Sequence, residues 1–268
     1  MKKLIEDFFL KEERFVERKS LGQVKLVKRD ILEKIAGFAG PDDVVIEIGG
    51  GEGNLTELLS KRAKLIICFE VDQRLKEKIL DKIEFGLLLN MDFLSLPIRK
   101  IKSVEINNYK GDLQKIKEIL NLTEKFKIVA NIPFYISSKL IHKILSLDFF
   151  NLKGVHILVQ REFSRKLCAK PGTEEYSAIS AISNFFFDIK INFDVPRFYF
   201  RPIPNVHSSF ISLIPKNTSL QEEKIRDFIN FTYNLFQRKR AKIGEKRIYQ
   251  ITPQEIFNFF LYDAKKIS

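Results

Sequence analysis

The stretch VVIEIGGGEGNLTELL (44–59) most constrains the fold. An apolar, β-branched run with a single acid reads as a strand buried on both faces. Four glycines in the five positions 49–53 follow, and then a helical pattern. Glycine permits positive φ and lets backbone pass close to a ligand. The helix behind it offers an N-terminus that favours negative or polar ligand groups. A strand that runs through a tight turn into a helix belongs to a parallel sheet, because parallel neighbours need a crossover.

The rest of the chain extends this alternation. KLIICFEVD (64–72) reads as a strand, QRLKEKILDKI (73–83) as a helix, and FGLLLNMDFL (85–94) as a third strand with its exit loop. FKIVA (126–130) is a fourth strand, SSKLIHKILSL (137–147) a helix, GVHILVQ (154–160) a fifth strand and REFSRKLCAK (161–170) a helix. Pro171 and Gly172 mark a turn, and DIKINFDVP (188–196) and HSSFISLIP (207–215) alternate as antiparallel strands would. Strand and helix in turn predict an α/β, Rossmann-like sheet with helices on both faces. Residues 1–17 read as an amphipathic arm. Ile31, Leu32, Ile35 and Phe38 recur at helical spacing, with Asp30 placed to cap. Residues 97–125 are mostly polar, with one helix at Leu113–Leu120, and read as an insertion on the sheet's rim. Past Pro215 the pattern from 221 to 266 reads as all helical, with Phe228, Phe231, Leu235 and Phe236 on one face. The expected division is 1–216 and a small helical domain at 217–268.

Lys plus Arg number 46 and Asp plus Glu 34 among 268 residues, a net +12 that suits a polyanionic partner. Cys68 and Cys168 stand 100 apart with no metal-type spacing, and the three His do not cluster. No metal is expected, and reduced thiols point to the cytoplasm. No apolar run approaches the ~20 residues that span a bilayer.

The glycines run G-x-G-x-G at 49, 51 and 53, not the G-x-G-x-x-G of dinucleotide sites. With Glu47 before them they match the E-x-G-x-G-x-G turn of many S-adenosylmethionine-dependent methyltransferases. Glu70 ends the second strand, 17 residues after Gly53, where a carboxylate accepts both ribose hydroxyls. Asp72 beside it fits a helix N-cap better. Asp92, at the end of strand three, is placed to accept from an adenine amine; Asp112 in KGD is its rival.

The fourth strand ends in Asn131-Ile132-Pro133-Phe134. Methylating an adenine N6 amine requires its delocalised lone pair to face the methyl donor, and acceptors aimed at the N–H groups favour that geometry. Asn131 offers a side-chain oxygen, and Pro133 stiffens the turn so that a main-chain carbonyl can offer a second. Phe134 supplies a face on which a flipped base can stack.

The stretches KSLGQ (19–23), EIGGGEGNLT (47–56), FEVD (69–72), NIPFYISS (131–138), VQREFSRKLCAKPGTEEYSAIS (159–180) and FRPIPNVHSSFISL (200–213) carry a family resemblance. The chain resembles the rRNA adenine N6,N6-dimethyltransferases that act near the end of small-subunit rRNA, and less closely the macrolide-resistance methylases of large-subunit rRNA. The resemblance implies a methyltransferase sheet followed by a small helical domain, and S-adenosylmethionine as cofactor. It places Gln23, Gly49, Gly51, Glu70, Asp92 and Asn131 along the cofactor. Asn131, Pro133 and Phe134 fall at the target adenine, with Phe200 as a second aromatic sandwiching the base. This sequence departs from the pattern at Val24-Lys25, where the family has Asn or His and then Phe. It departs also at Gly50 (Pro), Phe134 (Tyr), and Asn205 and His207 (Lys and Asp).

QRKRAKIGEKR (237–247) sets Arg238, Lys239, Arg240, Lys242, Lys246 and Arg247 against Glu245, a net +5 in eleven residues suited to tracking RNA phosphates. The expected partner is the small ribosomal subunit, met by a monomer. Two other readings stay open: an assembly factor that binds RNA but methylates poorly, and a large-subunit methylase. The glycine spacing disfavours a nicotinamide enzyme.

Overall fold

A computed structural model describes residues 24–145, 151–218, 220, 222–238, 242–243 and 245–267. The arm 1–17, KSLGQ with its Gln23, and Lys239 and Arg240 lie outside the described residues.

In chain order the elements are β1 (Lys25–Leu26), α1 (Arg29–Ala36), β2 (Val44–Ile48), α2 (Asn54–Ser60), β3 (Leu65–Phe69), α3 (Lys76–Leu80) and β4 (Gly86–Leu89). Then come β5 (Tyr109–Lys110), α4 (Leu113–Leu122), β6 (Phe126–Asn131), α5 (Ser137–Lys143), β7 (Leu152–Gln160), α6 (Arg161–Cys168) and α7 (Ala178–Phe186). The chain closes with β8 (Phe187–Val195), β9 (Phe200–Arg201), β10 (Ser208–Pro215), α8 (Glu222–Gln237), β11 (Lys242–Ile243), β12 (Lys246–Arg247) and α9 (Pro253–Ile267).

Eight strands form one sheet in the order β5-β4-β3-β2-β6-β7-β10-β8. Its centre, β4 to β7, is parallel, while β5, β10 and β8 run antiparallel to their neighbours. The α/β sheet expected from the alternation is therefore present. Both faces are covered, which is why the central strands are apolar throughout rather than alternating. Ile46, Ile67, Ile128 and Ile157 face one buried cluster; Val45, Cys68, Val129 and Leu158 face the other.

The C-terminal helices share the first of these clusters. Phe185 meets Phe228 and Phe257 at ring-centroid distances of 4.7 and 4.8 Å, and Phe228 meets Phe260 at 5.5 Å. Burying one Phe contributes about 2 kcal/mol from area alone, so the set anchors α8 and α9 to α7.

The two sheet edges differ. β5 is two residues long, and Gly111 turns the chain away at a φ of 90°. β8 is nine residues long, carries Asp188, Lys190 and Asp194, and bulges opposite Phe210/Ile211.

Several local expectations need correction. α1 is capped at Lys28, whose extended backbone starts the helix before Asp30; Asp30 sits in the first turn, where its charge suits the helix dipole. The 73–83 helix is a 3-10 turn, Gln73–Leu75, followed by α3, which ends at Leu80. The segment after Pro97 holds a 3-10 helix (Ile98–Ser103), the edge strand β5 and α4. The stretch 221–266 is not all helical: β11 and β12 pair as a small hairpin between α8 and α9. Thr252 and Glu255 then close a capping arrangement that starts α9 afresh.

Candidate active site

Strand order reverses between β2 and β6, and an open α/β sheet receives ligands outside the carboxyl ends of its strands at such a point. The Gly-rich turn leaves β2 there and Asn131 ends β6 there. Gly49, Gly51 and Gly53 take φ of 76°, 57° and 78°, which side chains rarely adopt. Gly49 N–H donates to the Phe69 carbonyl at 2.8 Å, tying the turn to β3. A Cβ on Gly51 would meet nothing within 4 Å, so the turn opens on free space; one on Gly49 would lie 3.5 Å from Pro133 Cδ. The glycine turn and the Asn-Ile-Pro-Phe turn thus lie side by side.

Glu70 is buried at the end of β3. Its Oε2 accepts from Gly51 N–H and its Oε1 from Asp72 N–H, both at 2.9 Å. Two backbone donors fix the carboxylate, and each oxygen keeps a lone pair for a hydroxyl. Asp72 caps the turn at 73–75, accepting from Arg74 N–H at 3.0 Å, as its position suggested.

Glu47 is buried beneath the turn. Burial pushes its carboxyl up to about 8, with the nearby Glu70 charge acting in the same direction. Its Oε2 has no hydrogen-bond partner among the described residues, nor has Thr56 Oγ1. Glu47 therefore underlies the glycine turn rather than lining open space. Gly50 explains its own departure from the family's Pro: a Cβ there would stand 2.4 Å from Cys68 Sγ.

Asp92 is exposed at the carboxyl end of β4, one oxygen accepting from Leu94 N–H at 2.9 Å. Its rival Asp112 caps α4 instead. Because β5 pairs Lys110 with Gly86, Asp112 lies at the opposite end of β4 from the site.

Asn131 and Phe134 are half-buried. Phe134 and Phe200 meet edge-on, 6.3 Å apart at 66°. Phe200 is 0% exposed, packed in the second core cluster, so it offers no open face for a base. Its neighbour Phe198 is 58% exposed.

Three features escaped the sequence reading. Tyr135 is 60% exposed, and its phenol is pushed up by partial burial and then by the charges of Asp92 and Glu70. Lys25, counted as a departure, reaches from β1 to the glycine turn and pairs with Glu52 at 2.6 Å, with Lys78 at 3.9 Å from the same oxygen. β1 itself pairs with β9, Leu26 opposite Phe200. No short-range motif signals either contact.

Of the basic set, Lys242, Lys246 and Arg247 lie on the hairpin and Arg238 follows α8. Lys246 pairs with Glu255 at 2.6 Å, and that pairing, with Thr252, holds Glu255 down to about 2. No described helix is long and apolar enough to cross a membrane.

A fixed buried acid at β3, an acid at β4, a turn with room above Gly51 and an amide at β6 make a donor and acceptor set that fits an adenosyl cofactor. The profile of the ribosomal RNA adenine dimethylase family matches residues 14–266. The Ribosomal RNA small subunit methyltransferase A of a Geobacillus species is 34% identical over 237 residues, covering 87% of this chain and 75% of its own. That of Bacillus pumilus is 34% identical over 241 residues, covering 89% and 76%. Two solved structures are similar in fold. One is a dimethyladenosine transferase from Plasmodium falciparum, with a TM-score of 0.70 at 22% identity, covering 90% of this chain and 98% of its own. The other is the 23S rRNA methyltransferase ErmE, with a TM-score of 0.63 at 21% identity, covering 88% and 98%. The sheet is thus that of a Rossmann-like class I methyltransferase, and the chain belongs to the ribosomal RNA adenine dimethylase family, whose methyl donor is S-adenosylmethionine.

Proposed function

We propose that the protein transfers two methyl groups in succession to the N6 amine of adenines in small-subunit rRNA, giving N6,N6-dimethyladenosine. One observation carries this reading: a Cβ built on Gly49 would lie 3.5 Å from Pro133 Cδ, so the glycine turn of β2 and the Asn-Ile-Pro-Phe turn of β6 lie side by side and donor and amine sites adjoin. S-adenosylmethionine, when bound, supplies an electrophilic methyl on a sulfonium. Glu70 would hold its ribose, Asp92 its adenine, and Gly49, Gly51 and Asn131 would line it, with Glu47 supporting the turn from below.

Asn131 accepts from the substrate amine, together with a main-chain carbonyl stiffened by Pro133, so that the nitrogen lone pair points at the methyl. Phe134 stacks on the flipped adenine. After one transfer the amine keeps one N–H, which either acceptor can hold for the second. No strong base is needed, since the methylated amine loses its proton readily. Residues 217–268, with Arg238, Lys242, Lys246 and Arg247, form the part that follows RNA phosphates. The reading places a monomer in the cytoplasm, where small subunits are assembled.

Tritiated methyl transfer to unmethylated small subunits, beside an Asn131→Ala control, tests this. Incorporation that yields dimethyladenosine, reduced about 10²- to 10³-fold in the control, is the expected result. Intact subunit binding without incorporation would leave an assembly factor in its place. Label in large-subunit rRNA would indicate the other branch of the family.

A further inference from the structure

The loop from Arg197 to His207 presents an aromatic ring that the assigned chemistry does not use. Phe200, expected as the second aromatic sandwiching the target base, is buried, while Phe198 is 58% exposed two positions earlier. The exposure is built. Arg197 N–H donates to His207 Nδ1 at 3.3 Å, and the Arg201 guanidinium donates to the carbonyls of Phe198 and Phe200 at 3.0 and 2.8 Å. Val27 N–H donates to the Tyr199 carbonyl at 2.8 Å, so β1 holds the turn from its other side. The Arg197 guanidinium lies 5.2 Å from the Phe198 ring centroid. The ring is thus held outward with a cation against it, and the same loop runs into Phe200, which touches Phe134.

We propose that Phe198, with Arg197, is the platform on which a nucleotide flanking the target adenine stacks. This rests on the reading of the protein as an rRNA adenine methyltransferase. RNA is recognised sequence-tolerantly where unpaired bases rest on aromatic rings and arginines meet the adjoining phosphates. Phe198 offers the ring, and Arg197 and Arg201 the charge. An exposed ring flanked by arginines fits a stacked base and its phosphate better than an apolar protein patch. Because Phe134 adjoins the cofactor turn, it takes the target; Phe198, exposed two residues from the Phe200 that meets Phe134, takes its neighbour.

The test uses the full chain and A-rich RNA pentamers carrying 2-aminopurine at one position at a time. Stacking quenches the probe at a position beside the target. Phe198→Ala should lose that quench and raise the KM for RNA on the order of tenfold, with kcat at saturating RNA and cofactor binding within about twofold of wild type. Phe198→Tyr should restore both. Unchanged quenching and KM in Phe198→Ala would overturn the proposal. So would an Ala variant normal on RNA but defective only on protein-containing subunits, which assigns the ring to a protein. Wild-type protein that quenches but transfers no methyl to unmethylated small subunits would sink the methyltransferase reading and leave the platform standing; wild type that methylates small subunits but quenches the probe at no position beside the target would overturn the platform alone.

Discussion

Replacing Glu47 with Gln isolates one buried proton. The carboxyl is shifted from 4.5 to about 8 by burial. Between those two values the folded chain keeps a proton that the unfolded chain has released. Stability contributed here is fully present below pH 4.5 and is lost as pH rises toward 8. Each pH unit in the window costs about 1.4 kcal/mol, so at pH 7 the penalty is on the order of 3 kcal/mol. The side chain is buried, so solvent screening does little to reduce that figure. Gln has nearly the same shape and no charge, so Glu47→Gln should match wild type near pH 4.5 and exceed it by about 2–3 kcal/mol at pH 7. For a chain of this size that is a rise in Tm on the order of 5–10 °C. Urea unfolding of both proteins at several pH values between 4.5 and 8.5 measures the difference directly. A pH-independent offset, or a variant less stable at pH 7 than at pH 5 relative to wild type, would refute the assignment of a neutral Glu47.

Gly50→Ala should cost about 1–3 kcal/mol in denaturant unfolding, because its new Cβ meets Cys68 Sγ; Cys68→Ala in the same chain should recover most of it, and an additive double variant would disprove the clash. Phe134→Ala should cut methyl transfer at least tenfold while Phe134→Tyr keeps it, since only the ring face is used; equal turnover in the Ala variant would remove the stacking role. Lys25→Ala should change folding stability by less than about 1 kcal/mol, the ion pair with Glu52 being exposed. It should weaken cofactor binding in dilute buffer but not in ~1 M salt, read by isothermal titration.

The parallel sheet was legible because β2, β3, β4, β6 and β7 are apolar runs that alternate with helical patterns. The glycine turn was legible for a related reason: three positive-φ positions at 49, 51 and 53 leave few residue choices. Glu70 and Asn131 followed from their places at strand ends. The hairpin Lys242–Ile243/Lys246–Arg247 was not legible, since two-residue strands exist only through their partner and carry no period. Lys25 looked like a loss because its partner, Glu52, is 27 residues away and no single helix or strand holds both. Phe198 and Phe200 are indistinguishable by composition; which one is buried is decided by the pairing of β9 with β1. The abundance of Phe, mute in the sequence, is accounted for in part by the ring cluster that fastens α8 and α9 to α7.

The two rims of the sheet bear on how this protein behaves when concentrated. A free strand border is a template for another chain's backbone. Here β5 offers two residues before Gly111 diverts the chain, which is too little for an incoming strand to register on. β8 is long enough, but its bulge breaks the even spacing of donors and acceptors, and charges at 188, 190 and 194 repel a flat apolar neighbour. Neither border of this sheet therefore offers an incoming strand a long, regular and apolar edge to pair with.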